Sequence, residues 1–264
     1  MSENTMLDRA LVARELIARW DAQQTGYIRR RAERFDTIGR TVAHVCTGVA
    51  EPRVLDLAGG AGSLGAAVLE HVPTAHVVVA DKDPALLALA RDAWAGDARV
   101  EVAQIDLDSD AWVRHPAIVA GEFDAVVSST ALHWLSPDAL VRVYFALSAL
   151  VRPGGIVLNG DHLSYDAVSE PAMRALALSD DAEMQRDTFG AGVDTWDEWW
   201  DAVAASGAYG TELAARDEVW GSELHEPPLK VTLGFHLETL RSAGFAQAGT
   251  VWQYLDDHVL YGMR

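Results

Sequence analysis

Apolar and polar positions change period several times along the chain, and each change marks an element. Met6, Leu7, Ala10, Leu11, Leu16 and Ile17 recur at helical spacing, which predicts an amphipathic helix over 5–22. A second helix is predicted over 28–48. The aliphatic run 53–58 reads as a buried strand, and the loop after it has almost no side chains. Helical spacing returns through Leu64, Val68 and Leu69. His76–Asp81 is a second buried strand, and Pro84–Ala93 a helix with Asp83 as its cap and Pro84 in its first turn. Strands follow over 99–105 and 123–129, then a helix over 137–151, a turn at Pro153-Gly154-Gly155 and a strand over 156–160. This alternation implies a parallel sheet with helices on both faces.

Residues 163–235 break the rhythm with acidic helix formers and the cluster Trp196, Trp199, Trp200. They read as an inserted cap in which the tryptophans, at helical spacing, pack as core. The sheet pattern resumes with a helix at 236–243, a turn at Gly244 and strands near 248–254 and 257–263. Asp256-Asp257-His258 falls at the hairpin between them and reads as a turn. The division is therefore a helical lid over 1–50, a core over 51–162, a substrate cap over 163–235 and completion of the sheet by 236–264.

Composition narrows the partners. The net charge of the 264 residues is −18, which disfavours nucleic acid and anionic membranes, since phosphate binding needs clustered Lys and Arg. The basic run Arg29-Arg30-Arg31 is too short to reverse this. Cys46 is the sole cysteine, so neither an intrachain disulfide nor a cysteine-based zinc site can form. It reads as a buried helix residue. No metal-ligand spacing stands out. No signal peptide or membrane span is expected, and a cytoplasmic location follows as an expectation. A homodimer is compatible with this reading.

The loop carries the chemistry. Gly60-x-Gly62-x-x-Gly65 fits the dinucleotide fingerprint, with Asp81 at the distance of a ribose-binding acid. The same residues fit a strand, an acid and a glycine loop, Val54-Leu55-Asp56-Leu57-Ala58-Gly59-Gly60-Ala61-Gly62. That run resembles the first motif of class I S-adenosylmethionine-dependent methyltransferases. Asp56 discriminates, because a carboxylate at the mouth of the loop suits an ammonium and a sulfonium better than a pyrophosphate. Ala58 replaces the family's first glycine and is expected at negative φ, leaving the loop less open.

Further segments resemble the same superfamily, in particular small-molecule enzymes of the trans-aconitate methyltransferase-like and actinobacterial type. Val79-Ala80-Asp81-Lys82-Asp83-Pro84 is similar to the second motif, and Ile105-Asp106-Leu107 to the third. Phe123–Ser129 followed by Ala131-Leu132-His133-Trp134-Leu135 is similar to the fourth strand and its active-site loop. Tyr27-Ile28 followed by Arg31, Glu33, Arg34 and Phe35 resembles an N-terminal cofactor-closing helix.

The resemblance implies an α/β, Rossmann-like fold: a seven-stranded, mostly parallel sheet with one antiparallel edge strand and a helical lid. It implies S-adenosyl-L-methionine as cofactor and methyl transfer to a small molecule. The cofactor residues it implies are Asp56, Ala58, Gly60, Gly62, Asp81, Lys82, Asp106, Leu107, Ser128 and His133, with Tyr27 and Arg31 closing over the cofactor carboxylate. His133 and His162 are candidate bases, since neutral imidazole is available near neutral pH. Ser128, His133, Asp161 and His162 are all expected at the carboxyl ends of strands. His225 with Glu226, in the cap, is a further candidate. Two rivals stand: a nicotinamide-dependent oxidoreductase on a similar sheet, and a non-catalytic cofactor-binding or partner-binding protein.

Overall fold

The computed structural model describes residues 3–221 and 230–264. Two helices, α1 (Glu3–Gln24) and α2 (Arg31–Val45), precede the sheet. Strands and helices then alternate as β1 (Arg53–Leu57), α3 (Ser63–His71), β2 (His76–Asp81), α4 (Pro84–Ala93), β3 (Val100–Gln104), α5 (Pro116–Val119), β4 (Phe123–Ser129), α6 (Pro137–Leu150) and β5 (Val151–His162). Helices α7 (Pro171–Gly190), α8 (Trp196–Ala205), α9 (Gly210–Trp220) and α10 (Leu233–Ser242) lead to β6 (Gln247–Tyr254) and β7 (Asp257–Met263).

The strands form one seven-stranded sheet in the order β3-β2-β1-β4-β5-β7-β6. Pairing is parallel from β3 to β5, and β7 runs antiparallel to both β5 and β6. The reversed strand is thus internal, with β6 outside it, and not at the edge as the sequence reading has it. Its burial explains the position. Asp257 through Leu260 are all buried in β7, whereas β6 is half exposed, as an edge strand is.

Alternate residues of each strand face opposite layers. Leu55, Leu57, Val78, Ala80 and Val126 pack against α5, α6 and α10. Val54, Val77, Val79, Val127 and Leu158 pack against Ile38 and Val42 of α2, Leu64 and Val68 of α3, and Leu87 of α4. The helix α4 also presents Leu86, Ala88 and Leu89 outward to Ala13 and Leu16 of α1 and to Trp199 and Val203 of α8. In this third layer Trp199 is core and Trp200 packs against it, whereas Trp196, expected to pack with them, is 39% exposed. Trp199 is fully buried and donates from Nε1 to the Leu16 carbonyl at 2.9 Å.

Element ends follow local chemistry. Asp83 caps α4 by accepting from Ala85 and Leu86 N–H groups at 2.9 and 3.1 Å, with Pro84 in the first turn. Pro153-Gly154-Gly155 does not separate two elements. It lies inside the long strand β5, where the pairing with β4 shifts register. The buried Cys46 closes α2, and burial raises its thiol pKa to about 11, which leaves it unreactive.

Candidate functional site

The parallel strands end together, and so do their chemistry-bearing residues. Asp56 lies near the end of β1 with Ala58 just beyond it, Asp81 finishes β2, Ser128 lies near the end of β4, and Asp161 and His162 finish β5. Because β7 is reversed, its beginning, Asp257, joins the same edge beside His162.

Asp56 lies under the glycine loop and not at its mouth. It is fully buried, and its Oδ2 accepts the Gly65 N–H at 2.8 Å. A Cβ at Gly59 would stand 2.5 Å from its Cγ, so the loop rests directly on this carboxyl. Burial raises its pKa to about 7 against the lowering effect of the Gly65 bond. The expectation of a carboxylate facing a cofactor ammonium is corrected: no room exists there, because the loop backbone covers it.

Ala58 has φ +53°, in the left-handed region, and not the negative φ expected of alanine. Gly60 and Gly62 follow at +55° and +86°. The loop therefore keeps the path a glycine would give, and Ala58 carries the strain.

Asp81, at the rim of the loop, accepts from Gly60 N–H and Asp83 N–H, both at 2.8 Å. Burial raises its pKa to about 6 in spite of these bonds. Lys82 lies with its ammonium 4.0 Å from the centre of the Trp220 ring. Trp220 and Arg216 of α9 both donate to Asp83 Oδ2 at 2.9 Å, so α9 is clamped over the end of β2. Sequence reasoning missed this pair, since nothing in the period of α9 marks it. Asp106 is exposed and bonds to Asp108 N–H at 3.0 Å, with Leu107 half-buried beside it. The Ser128 hydroxyl is buried without a partner, as is Asp56 Oδ1.

The residues expected to close from the N-terminal side are engaged elsewhere. Arg31 pairs with Asp21 at 2.6 Å and lies over the Phe35 ring. The Tyr27 hydroxyl accepts from Trp196 N–H at 3.3 Å. Asp21 also lines a cavity of about 440 Å³ with Arg14, Ile17, Gly62 and Ser63, beside the glycine loop. A second cavity of about 460 Å³, between Arg91 and Val102, is remote from the strand ends and holds no arrangement of reactive groups.

The other half of the edge holds two histidines, each backed by a buried carboxylate. His133 Nδ1 is 2.6 Å from Asp161 Oδ1, and its backbone N–H donates to Asp161 Oδ2 at 3.1 Å. His162 Nδ1 pairs with Asp257 Oδ1. The two rings are 6.1 Å apart. Burial alone would raise the Asp161 carboxyl, but His133, His162 and His236 outweigh it and hold the group below the usual carboxylate range. Asp257 behaves likewise: burial opposes, and His162, Arg34 and Arg29 hold it low.

Asp257 is no turn residue, which corrects the reading of the hairpin. The turn is Leu255-Asp256, while Asp257 and His258 belong to β7. Arg34, fully buried, donates to Asp257 Oδ1 at 2.6 Å. It passes so close to the sheet that a Cβ at Gly160 would meet its Cδ at 2.8 Å. Arg29 donates to Asp256 and Asp257 at 2.8 and 2.9 Å and pairs with Asp180 and Asp181 of α7. The candidates His225 and Glu226 lie outside the described residues. Among the described residues no group of His, Cys, Asp and Glu side chains could hold a metal ion, and no helix is long and apolar enough to cross a membrane.

Two predictions follow from this geometry. Ala58→Gly should stabilise the fold by about 0.5–1 kcal/mol, the excess of the left-handed penalty over glycine's entropic cost; urea denaturation measures it. Asp161→Asn should destabilise by about 1.5–3 kcal/mol at neutral pH. Asp161 is held low, so its contribution is fully present above its ordinary value of 3.8 and is lost as the pH falls below it. The gap between variant and wild type in thermal unfolding should therefore close in acid.

A family model described as a methyltransferase domain matches residues 54–155. No curated protein matches the chain. Solved structures do. An O-methyltransferase family protein from Burkholderia thailandensis is 21% identical, with TM-score 0.55, over 86% of this chain and 55% of that one. The S-adenosylmethionine-dependent methyltransferase SibL is 22% identical, with TM-score 0.51, over 81% and 50%. The CurJ carbon methyltransferase is 14% identical, with TM-score 0.54, over 86% and 53%. The chain thus spans about half the length of these structures, and at such identities they share its fold. They do not single out the trans-aconitate-like subgroup. Residues 54–155 thus match a methyltransferase domain, and the chain shares the fold of these structures.

Proposed function

We propose that the chain transfers a methyl group from S-adenosylmethionine to a protonated nucleophile, a hydroxyl or amine, on a small molecule. The observation that carries this reading is the His133–Asp161 pair beside the glycine loop's strand edge.

The residues of the first half fit the cofactor. Asp56, Asp81, Asp83 and Asp106 make this edge acidic, and burial already raises Asp56 and Asp81. A pyrophosphate would add charge of the same sign, which disfavours the nicotinamide reading. A ribose offers hydroxyl donors to Asp81, and the unpartnered Ser128 Oγ provides a further polar contact. Gly60 and Gly62 admit a ligand to the backbone; Asp106 with Leu107 would bracket the adenine, and Lys82 would border the ribose. Tyr27 and Arg31, and the helices α1 and α7–α9, are read as the covering lid. When bound, the cofactor supplies a methyl group on a positively charged sulfur.

His133 then manages the proton. The ionised Asp161 only accepts, so Nδ1 of His133 carries its hydrogen and Nε2 keeps a lone pair. Nε2 takes the proton of the acceptor, and the buried Asp161 charge stabilises the imidazolium that forms. Asp161 also fixes the loop through the His133 backbone N–H. Orientation in a shielded site supplies much of the remaining acceleration.

Calorimetry with S-adenosylhomocysteine tests the cofactor half. Asp81→Ala removes hydrogen bonds to a charged group worth about 1.5–3 kcal/mol each and should weaken binding at least ~10-fold. Unchanged affinity would overturn the ribose assignment. For the base, His133→Ala should lower turnover by about 10²–10⁴-fold with cofactor affinity within a few-fold, and His133→Gln should be nearly as poor. Full activity in His133→Ala would remove His133 from the mechanism.

A further inference from the structure

We infer that the acceptor presents two adjacent hydrogen-bond donors, as a vicinal diol or, better, an ortho-diphenol does, and that His133 and His162 bracket them. This rests on the methyltransferase reading only in making one of the two oxygens the methylated one.

The inference starts from tautomers. Asp161 and Asp257 are both held ionised, and a carboxylate can only accept. Nδ1 of each histidine therefore carries the hydrogen, and each Nε2 is left with a bare lone pair. Neither Nε2 bonds to any of the described residues, and neither is among the buried polar atoms that lack partners. Both rings are partly exposed, at 15% and 21% for the side chains. Two acceptors are thus left without a partner among the described residues, with their ring centres 6.1 Å apart. Hydrogen bonds of about 2.7–3.2 Å from each leave room for one compact pair of donors between them.

The surroundings narrow the class. Among the described residues neither arginine at this edge is free for an anionic acceptor: Arg34 is fully buried and engaged by Asp257, Thr130 and the Gly160 carbonyl, and Arg29 by four aspartates. Trp134, 41% exposed, stands 5.4 Å from the His133 ring and offers an aromatic face beside it. A flat ring carrying two neighbouring hydroxyls meets both features.

The two histidines differ in their carboxylate partners. Asp161 pairs with Nδ1 of His133 and accepts its backbone N–H, whereas Asp257 is shared by His162, Arg34 and Arg29. His133 is the base of the proposed transfer and removes the proton. His162 accepts a hydrogen bond from the second hydroxyl and fixes which oxygen reacts, which makes it a specificity residue.

The test uses the full chain. Nitrogen-15 histidine NMR at neutral pH should show the Nδ1–H form for both His133 and His162. Catechol, resorcinol and guaiacol are then titrated with and without S-adenosylhomocysteine. Catechol should bind about 2–10-fold more tightly than the other two, the worth of one added hydrogen bond. His162→Phe should erase the preference while S-adenosylhomocysteine affinity stays within about twofold. If that variant does not fold, the wild-type preference and tautomers decide alone. An Nε2–H form at His162, equal binding of the three phenols, or no binding of catechol would overturn the inference. Catechol preference without any binding of S-adenosylhomocysteine would instead overturn the methyltransferase reading and leave the diol site standing.

Discussion

Four carboxylates buried along one edge of a sheet set the terms for everything around them. Asp56, Asp81, Asp161 and Asp257 all stand where the strands end, with little or no access to water. Burying a negative charge is expensive unless something answers it. The protein answers each one differently, and the differences divide the edge into two halves. Asp56 and Asp81 receive only backbone N–H groups, and both are pushed toward the neutral form. Asp161 receives His133, Asp257 receives His162, Arg34 and Arg29, and both are held ionised.

That division sets two local environments. In one half the acids are answered by backbone N–H groups. A half whose acids are already compensated spends its field on orienting imidazoles. Arg29 extends the second half outward. From the turn between α1 and α2 it joins the β6–β7 turn to α7, and it also donates to the Ala177 carbonyl. Side-chain charge therefore fixes the covering helices relative to the sheet, in a region where α7 buries little apolar surface of its own.

Much of this was legible in the sequence because it is local. Strand β4 and helix α4 fall on their expected limits, and the Asp83 cap and the glycine loop are written in neighbouring residues. The expected positions of His133, Asp161 and His162 at strand ends follow from strand assignment alone. What could not be read is long-range. Arg34 meets Asp257 across 223 positions, and no periodicity records such a pairing. The placement of β7 inside the sheet depends on which hairpin strand docks on β5, a choice made by burial. Ala58 escaped because its backbone angle is imposed by Asp56 beneath the loop, against its own preference.

The internal position of β7 has a consequence for the order of assembly. Strand β6 precedes β7 in the chain, yet it reaches the sheet only through β7. Until residues 257–263 arrive, the ladder edge of β5 has no partner, and Arg34 and His162 lack the carboxylate that neutralises one and orients the other. The parallel half of the sheet, with its glycine loop, can be laid down from residues 53–162, but the half built on Asp257 is a product of closure. A nascent or partly unfolded chain would hold the glycine loop and its Asp81 rim before it held the carboxylate that orients His162, so the second half of the edge is gated by completion of the fold.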